Sequence, residues 1–238
     1  MENKTKRIAI LVDGDNARAK LLKPILEEVS KYGKVTIRRI YGDWTLSGMN
    51  SWKEVLNDLS FTPIQKFSYT SGKNSTDSSL IIDAMDILHD NMVEGFCIVS
   101  SDSDYTGLAK RIREEGIFVM GIGEKKTPNA FVQSCEIFTY TENIVEALEL
   151  QMPATNSSKP KKIQHPPVDM LLINKAYEMS VNEGPETYIS QVGLNLRKIN
   201  PSFDPRAYGF RNLTQLFESL SGYKIIKEGT HSLVSKKS

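Results

Sequence analysis

The stretch AILVDGDNAR, residues 9–18, sets an apolar run directly against two aspartates, a glycine and an asparagine. Alone it reads two ways. Asp and Gly are ordinary turn formers, so Asp13 and Asp15 could simply close a strand. They could equally be half of a carboxylate site whose partners come from later in the chain. The partners therefore have to be sought in the rest of the sequence.

Similar apolar runs recur at 8–12, 35–41, 96–100 and 117–123, with a weaker one at 61–67. Between them the spacing of three and four predicts helices. Leu21, Leu22, Ile25, Leu26 and Val29 mark one over 17–30, and Leu80, Ile81, Ala84, Ile87 and Leu88 another over 78–90. A third, near 103–115, carries Leu108 and Ile112 and closes at Gly116. Strands alternating with helices predict an α/β fold with a mostly parallel sheet. Uninterrupted apolar strands predict burial on both faces.

Residues 151–167, with four prolines and three lysines, have no periodicity and read as a linker. Beyond it the pattern is helical at 168–182, 188–199 and 213–221. The chain then alternates around the turn EGT at 228–230. Three helices and a hairpin make a winged-helix layout. The expected organisation is a domain over 1–150, the linker, and a small domain over 168–238.

The composition is that of a soluble globular chain, 39% hydrophobic and 25% charged over 238 residues. No apolar run approaches the ~20 residues that span a bilayer, and the N-terminal run is too short for a secretory signal. The expected location is the cytoplasm. Two distant cysteines and three histidines argue against a disulfide framework or a zinc–thiolate site. The net charge of +1 conceals an asymmetry. Residues 151–238 hold twelve Lys and Arg against seven Asp and Glu, and the rest of the chain 18 against 22. A basic tail behind an acidic front suits contact with a polyanion.

In open parallel sheets, sites form beyond the carboxyl ends of the strands. Asp13, Asp15 and Asn16 follow the first strand; Asp102, Ser103 and Asp104 follow the fourth, in IVSSDSDYTGLAKR. Asp77 begins the helix between them, with Asp83 and Asp86 further along it. Each group taken singly also reads as helix capping. Taken together, like-charged carboxylates are unfavourable neighbours unless a cation lies between them. Oxygen donors without His or Cys favour Mg²⁺ or Mn²⁺. Asp83, six residues beyond Asp77, reads equally as a support residue or a semi-buried structural one.

LVDGDNAR, STDSSLIIDAMDIL and IVSSDSDYTGLAKRIREEG, followed by VMGIGE, together resemble the NYN domain of the PIN-like ribonuclease superfamily, in its bacterial LabA-like branch. The resemblance covers about residues 6–148. It implies an α/β/α sandwich and a metal-dependent ribonuclease, an endonuclease before an exonuclease. Asp13, Asp77, Asp102 and Asp104 fall on the family's acids and would hold Mg²⁺ or Mn²⁺. Asn16 and Ser101 would orient ligands or phosphate, and Lys73 and Lys110 would touch the RNA backbone. Asp15 falls where the family varies.

YGFRNLTQLFESLSGYKII, residues 208–226, resembles the LOTUS, or OST-HTH, domain. This implies an RNA-binding module, with Lys198, Arg206, Arg211 and Lys224 as phosphate contacts and Tyr208, Gly209 and Phe210 as core and turn. A protein partner for this module and a homodimer stay open. Two other readings compete. One is a non-catalytic RNA-binding regulator. The other is a phosphatase of the haloacid-dehalogenase kind, which matches the DxD in VDGDN but wants Thr or Val where Ala17 stands. Trp44 and Trp52 could stack nucleotides, but packing is the simpler reading.

Overall fold

The computed structural model describes residues 5–67, 75–149, 165–181, 184–229 and 231–237. The chain divides into two compact units, Met1–Ile144 and Val145–Ser238.

The first unit is a six-stranded, wholly parallel sheet. Its strands are β1 (Arg7–Asp13), β2 (Lys34–Gly42), β3 (Thr62–Gln65), β4 (Gly95–Val99), β5 (Phe118–Gly123) and β6 (Ile137–Tyr140), in spatial order β3-β2-β1-β4-β5-β6. The helices are α1 (Leu22–Ser30), α2 (Lys53–Asp58), α3 (Ser75–His89), α4 (Thr106–Glu114) and α5 (Asn129–Ser134), and α6 (Thr141–Glu149) contains the boundary between the units. Helices cover both sides of the sheet, the α/β sandwich of a PIN-like fold. On one face Ala9, Leu11, Phe96, Ile98 and Val119 pack with Leu80, Ala84 and Ile87 of α3 and with Leu108 and Ile112 of α4. The intervening residues Ile8, Ile10 and Val12 are equally buried, which explains why β1 reads as a continuous apolar run.

Several expected helices differ in extent, and the sequence pattern passes over several short elements. The helix expected over 17–30 becomes a 3₁₀ turn at Ala19–Leu21 followed by α1 from Leu22. Pro24 accounts for this. Proline lacks the N–H a helix interior requires and is tolerated in a first turn, so the α-helix begins just ahead of it. The segment around Trp44 and Trp52, for which the sequence pattern predicts no element, contains a 3₁₀ helix (Ser47–Trp52) that runs into α2. β6 and α5, of four and six residues, are too short for periodicity to mark.

The second unit contains α7 (Met170–Glu178), β7 (Glu186–Tyr188), α8 (Ile189–Ile199), α9 (Leu213–Ser219), β8 (Tyr223–Glu228) and β9 (His231–Lys236). Its sheet is antiparallel, in order β7-β9-β8. The hairpin expected near 228–230 is present, with Glu228 paired to His231. β7, three residues long, is an addition. Asp169 caps α7 through the Leu171 and Leu172 N–H groups, and Asn212 caps α9 through that of Gln215. A single core joins Ile173, Ala176, Val192, Leu196, Leu216 and Phe217 to Tyr223 and Val234. Gly209 adopts φ +83°, the left-handed conformation that glycine enters without a Cβ penalty. Tyr208 and Phe210 on either side of it pack against the core.

Candidate active site

The turn after β1 is forced by close packing. A Cβ on Gly14 would stand 2.7 Å from the Tyr41 carbonyl oxygen and 2.9 Å from the Met49 methyl, so only glycine fits. The Gly14 N–H donates to that carbonyl at 2.9 Å, and the Ala17 N–H returns to the Asp13 carbonyl at 2.9 Å. By strand alternation Asp13 shares the face of Ala9 and Leu11, so its carboxylate is driven inward. It is fully buried. Oδ2 accepts from Asn16 Nδ2 at 2.7 Å and Ser100 Oγ at 2.9 Å, and Oδ1 accepts from the Asp15 N–H at 3.2 Å. Burial raises its pKa above the ordinary carboxylate value. The Asn16 and Ser100 bonds pull against that rise, and the Asp15 charge adds to it.

β4 lies beside β1, and the strand order runs outward in opposite directions from this pair, the switch point where doubly wound sheets open a crevice. Past β4 the chain supplies a relay. Ser100 Oγ accepts from the Asp102 N–H at 3.1 Å, and Asp102 Oδ1 accepts from the Asp104 N–H at 3.0 Å. Asp102 thus does cap the 3₁₀ turn Ser103–Tyr105. That turn buries Tyr105, whose hydroxyl donates to Asp77 Oδ1 at 2.6 Å. Asp77 stands in the first turn of α3.

The result is a convergence. One carboxylate oxygen each from Asp77, Asp102 and Asp104 lies within 4.8 Å of the others. Asp13 lies outside this trio, but its charge reaches Asp77. Burial raises the Asp77 pKa, the Tyr105 bond opposes the rise, and Asp13, Asp102 and Asp104 add to it by repulsion. Burial, reinforced by Asp13 and Asp77, drives the Tyr105 hydroxyl far above its usual value, so it stays protonated and donates. Oxygen-only donors, mutual repulsion and partial exposure fit a hard divalent cation such as Mg²⁺ or Mn²⁺.

The remaining predicted residues fall differently. Asn16 hydrogen-bonds the Asp13 carboxylate. Ser101 does not; its hydroxyl accepts from the Glu124 N–H at 2.8 Å and ties the end of β4 to that of β5. The serine on Asp13 is Ser100. Phe96, Ile98 and Ser100 share one face of β4, so counting strand phase would have identified it. Asp83 is not brought to the trio, because Arg39 and Tyr41 both hydrogen-bond its carboxylate. Asp86 is exposed. The sequence pattern does not mark Tyr105, whose one signal is an aromatic directly after the acid pair.

Trp52 is 3% exposed, and the Trp44 indole N–H donates to the Ile64 carbonyl at 3.0 Å, so both tryptophans serve packing. Lys110 is exposed on α4. Lys73 lies outside the described residues. In the second unit Lys198, Arg211 and Lys224 are exposed. Arg206 departs from the expected phosphate contact, since its guanidinium closes on both oxygens of Asp204, with Nη2 2.7 Å from Oδ2. Cys97 and Cys135 are buried free thiols. No helix among the described residues is long and apolar enough to cross a membrane.

The NYN-domain family model matches residues 7–146, and the OST-HTH/LOTUS domain model matches 159–235. A crystal structure of a protein of unknown function from Vibrio parahaemolyticus RIMD 2210633 is similar in fold. It is 19% identical with a TM-score of 0.50, and the match covers 59% of this chain and 95% of that one. No curated protein sequence gives a significant match. The chain thus belongs to the NYN-domain family of the PIN-like nuclease superfamily and carries an OST-HTH/LOTUS domain behind its NYN domain.

Proposed function

We propose that this protein is a divalent-cation-dependent ribonuclease that hydrolyses RNA phosphodiester bonds, cutting within the strand. The observation that carries this reading is the convergence of Asp77, Asp102 and Asp104 at the carboxyl end of the sheet. A bound Mg²⁺ or Mn²⁺ would supply charge for the phosphate oxygens and lower the pKa of a coordinated water. The chain's own residues do the positioning. Asp77, Asp102 and Asp104 would hold the cation, and the Asp13 charge adds to the negative field at Asp77. Asn16 and Ser100 fix the Asp13 carboxylate, and Tyr105 fixes that of Asp77. Outside the NYN domain, Lys198, Arg211 and Lys224 offer the OST-HTH/LOTUS domain's contacts to RNA phosphates.

The test is cleavage of end-labelled single-stranded RNA by the full chain with Mn²⁺ and with EDTA. The expected result is internal cuts with Mn²⁺, none in EDTA, and none from Asp102→Asn. Cutting in EDTA, or by Asp102→Asn at the wild-type rate, would sink this reading. RNA bound without cutting under any divalent cation would leave the protein as a binding regulator.

A further inference from the structure

The turn that follows Asp13 also borders a concavity of the first unit. An open cavity of about 480 Å³ lies between the turn after β1 and the 3₁₀ helix Ser47–Trp52. Its size falls within the ~300–1,000 Å³ typical of small-ligand sites. Leu46, Met49 and Trp52 give it apolar lining, and Arg18 and Lys20 give it cationic lining. Met49 and Trp52 are almost fully buried and form a fixed floor, whereas Leu46 is 54% exposed. Lys20 is exposed, and Arg18, which pairs with Glu124 at 2.7 Å, is 62% exposed.

Asp15 forms the lip shared with the candidate active site. It lines the cavity, and its N–H donates to Asp13 Oδ1. Asp15 thus ties the cavity to the Asp13 carboxylate, whose charge reaches Asp77. The occupant that fits has a flat apolar face for Leu46 and Met49, an anionic group for Lys20 and Arg18, and a hydroxyl to donate to a carboxylate. A ribonucleotide has all three. A deoxyribonucleotide lacks the last, since the 2′-hydroxyl is what a protein reads to tell RNA from DNA.

We propose that this cavity is a nucleoside subsite for the RNA residue next to the scissile phosphate. The base rests on Leu46 and Met49, its phosphate meets Lys20 and Arg18, and the Asp15 carboxylate accepts from the ribose 2′-hydroxyl. This assigns Asp15 a role in substrate choice rather than in metal binding. The nature of the occupant rests on the ribonuclease reading, whereas the binding needs neither metal nor turnover.

The test is photocrosslinking of the full chain, in EDTA, to short single-stranded RNA carrying 4-thiouridine, with the crosslinked peptides mapped by mass spectrometry. Mn²⁺-dependent cleavage is measured in parallel. The expected result is crosslinks within residues 46–52, reduced on the order of tenfold by Leu46→Asp and by Lys20→Glu. Both positions are exposed, so neither change disturbs the core. Asp15→Ala should leave deoxy-oligonucleotide crosslinking unchanged while reducing that of RNA to the same level. Crosslinks confined to other segments, or unchanged by both Leu46→Asp and Lys20→Glu, overturn the subsite. Cleavage without these crosslinks removes the subsite alone. Crosslinks without cleavage support the subsite and remove the ribonuclease reading. Neither signal overturns both.

Discussion

Asp77 and Asp83 lie on the same helix, six residues apart, and meet opposite surroundings. Asp83 is met by the Arg39 guanidinium and the Tyr41 hydroxyl, so its charge is neutralised and its oxygens are occupied. Asp77 accepts from the neutral Tyr105 hydroxyl and is repelled by Asp13, Asp102 and Asp104. A carboxylate answered by a cation of the protein is structural. One held among other carboxylates by neutral donors carries charge that a bound cation can answer. The difference separates two residues that the sequence STDSSLIIDAMD presents as near equals.

The comparison breaks most visibly in catalysis. Asp102→Asn and Asp77→Asn should each lower Mn²⁺-dependent RNA cleavage by roughly a hundredfold or more, since losing even a supporting contact of a metal ligand costs about 10–100-fold. Asp83→Asn should keep cleavage within about threefold of wild type. Equal losses at Asp77 and Asp83 would erase the distinction.

Tyr105→Phe sharpens it at one remove. It deletes the bond to Asp77 Oδ1 without opening a cavity and should weaken the apparent affinity for Mn²⁺ by about tenfold. RNA binding in EDTA should be unaffected. A purely structural tyrosine would lower stability and leave the metal requirement as it was.

Asp83→Ala should act on stability instead. It leaves Arg39, itself 31% exposed, without its carboxylate, a cost of about 1–2 kcal/mol, between those of exposed and buried pairs. Urea unfolding of wild type and variant in EDTA measures it.

The smallest expected effect is in pH dependence. The folded-state pKa of Asp77 is raised, so its contribution to stability is fully present below the unfolded value of ~3.9. That contribution is lost as pH rises through the folded value. In EDTA, Asp77→Asn should therefore be more stable than wild type near pH 7, with the gap narrowing as pH falls toward 4. A gap that widens toward acid would reverse the sign assigned to this site.

Much of this site was legible because strand ends and acids coincide. The apolar runs located β1 and β4, and Asp13 and the Asp102–Asp104 pair follow directly from where those runs stop. Ser100 and Ser101 are told apart only by strand phase: Ser100 falls on the face of Phe96 and Ile98, and one residue of phase exchanges the faces. Asp83 stayed ambiguous because its partner is remote in sequence. Arg39 sits between Ile37 and Tyr41 in β2, and its phase places it on the face that receives α3, where it needs a carboxylate. The lip at Asp15 depends on where the Ser47–Trp52 turn packs, and no periodic pattern reports that.

Titration calorimetry of Mn²⁺ into the full chain, comparing wild type, Asp77→Asn and Asp83→Asn, tests the central distinction without requiring RNA. The account predicts saturable binding to wild type and Asp83→Asn and its loss in Asp77→Asn. Binding by Asp77→Asn as tight as by wild type, or its loss in Asp83→Asn alone, would contradict it.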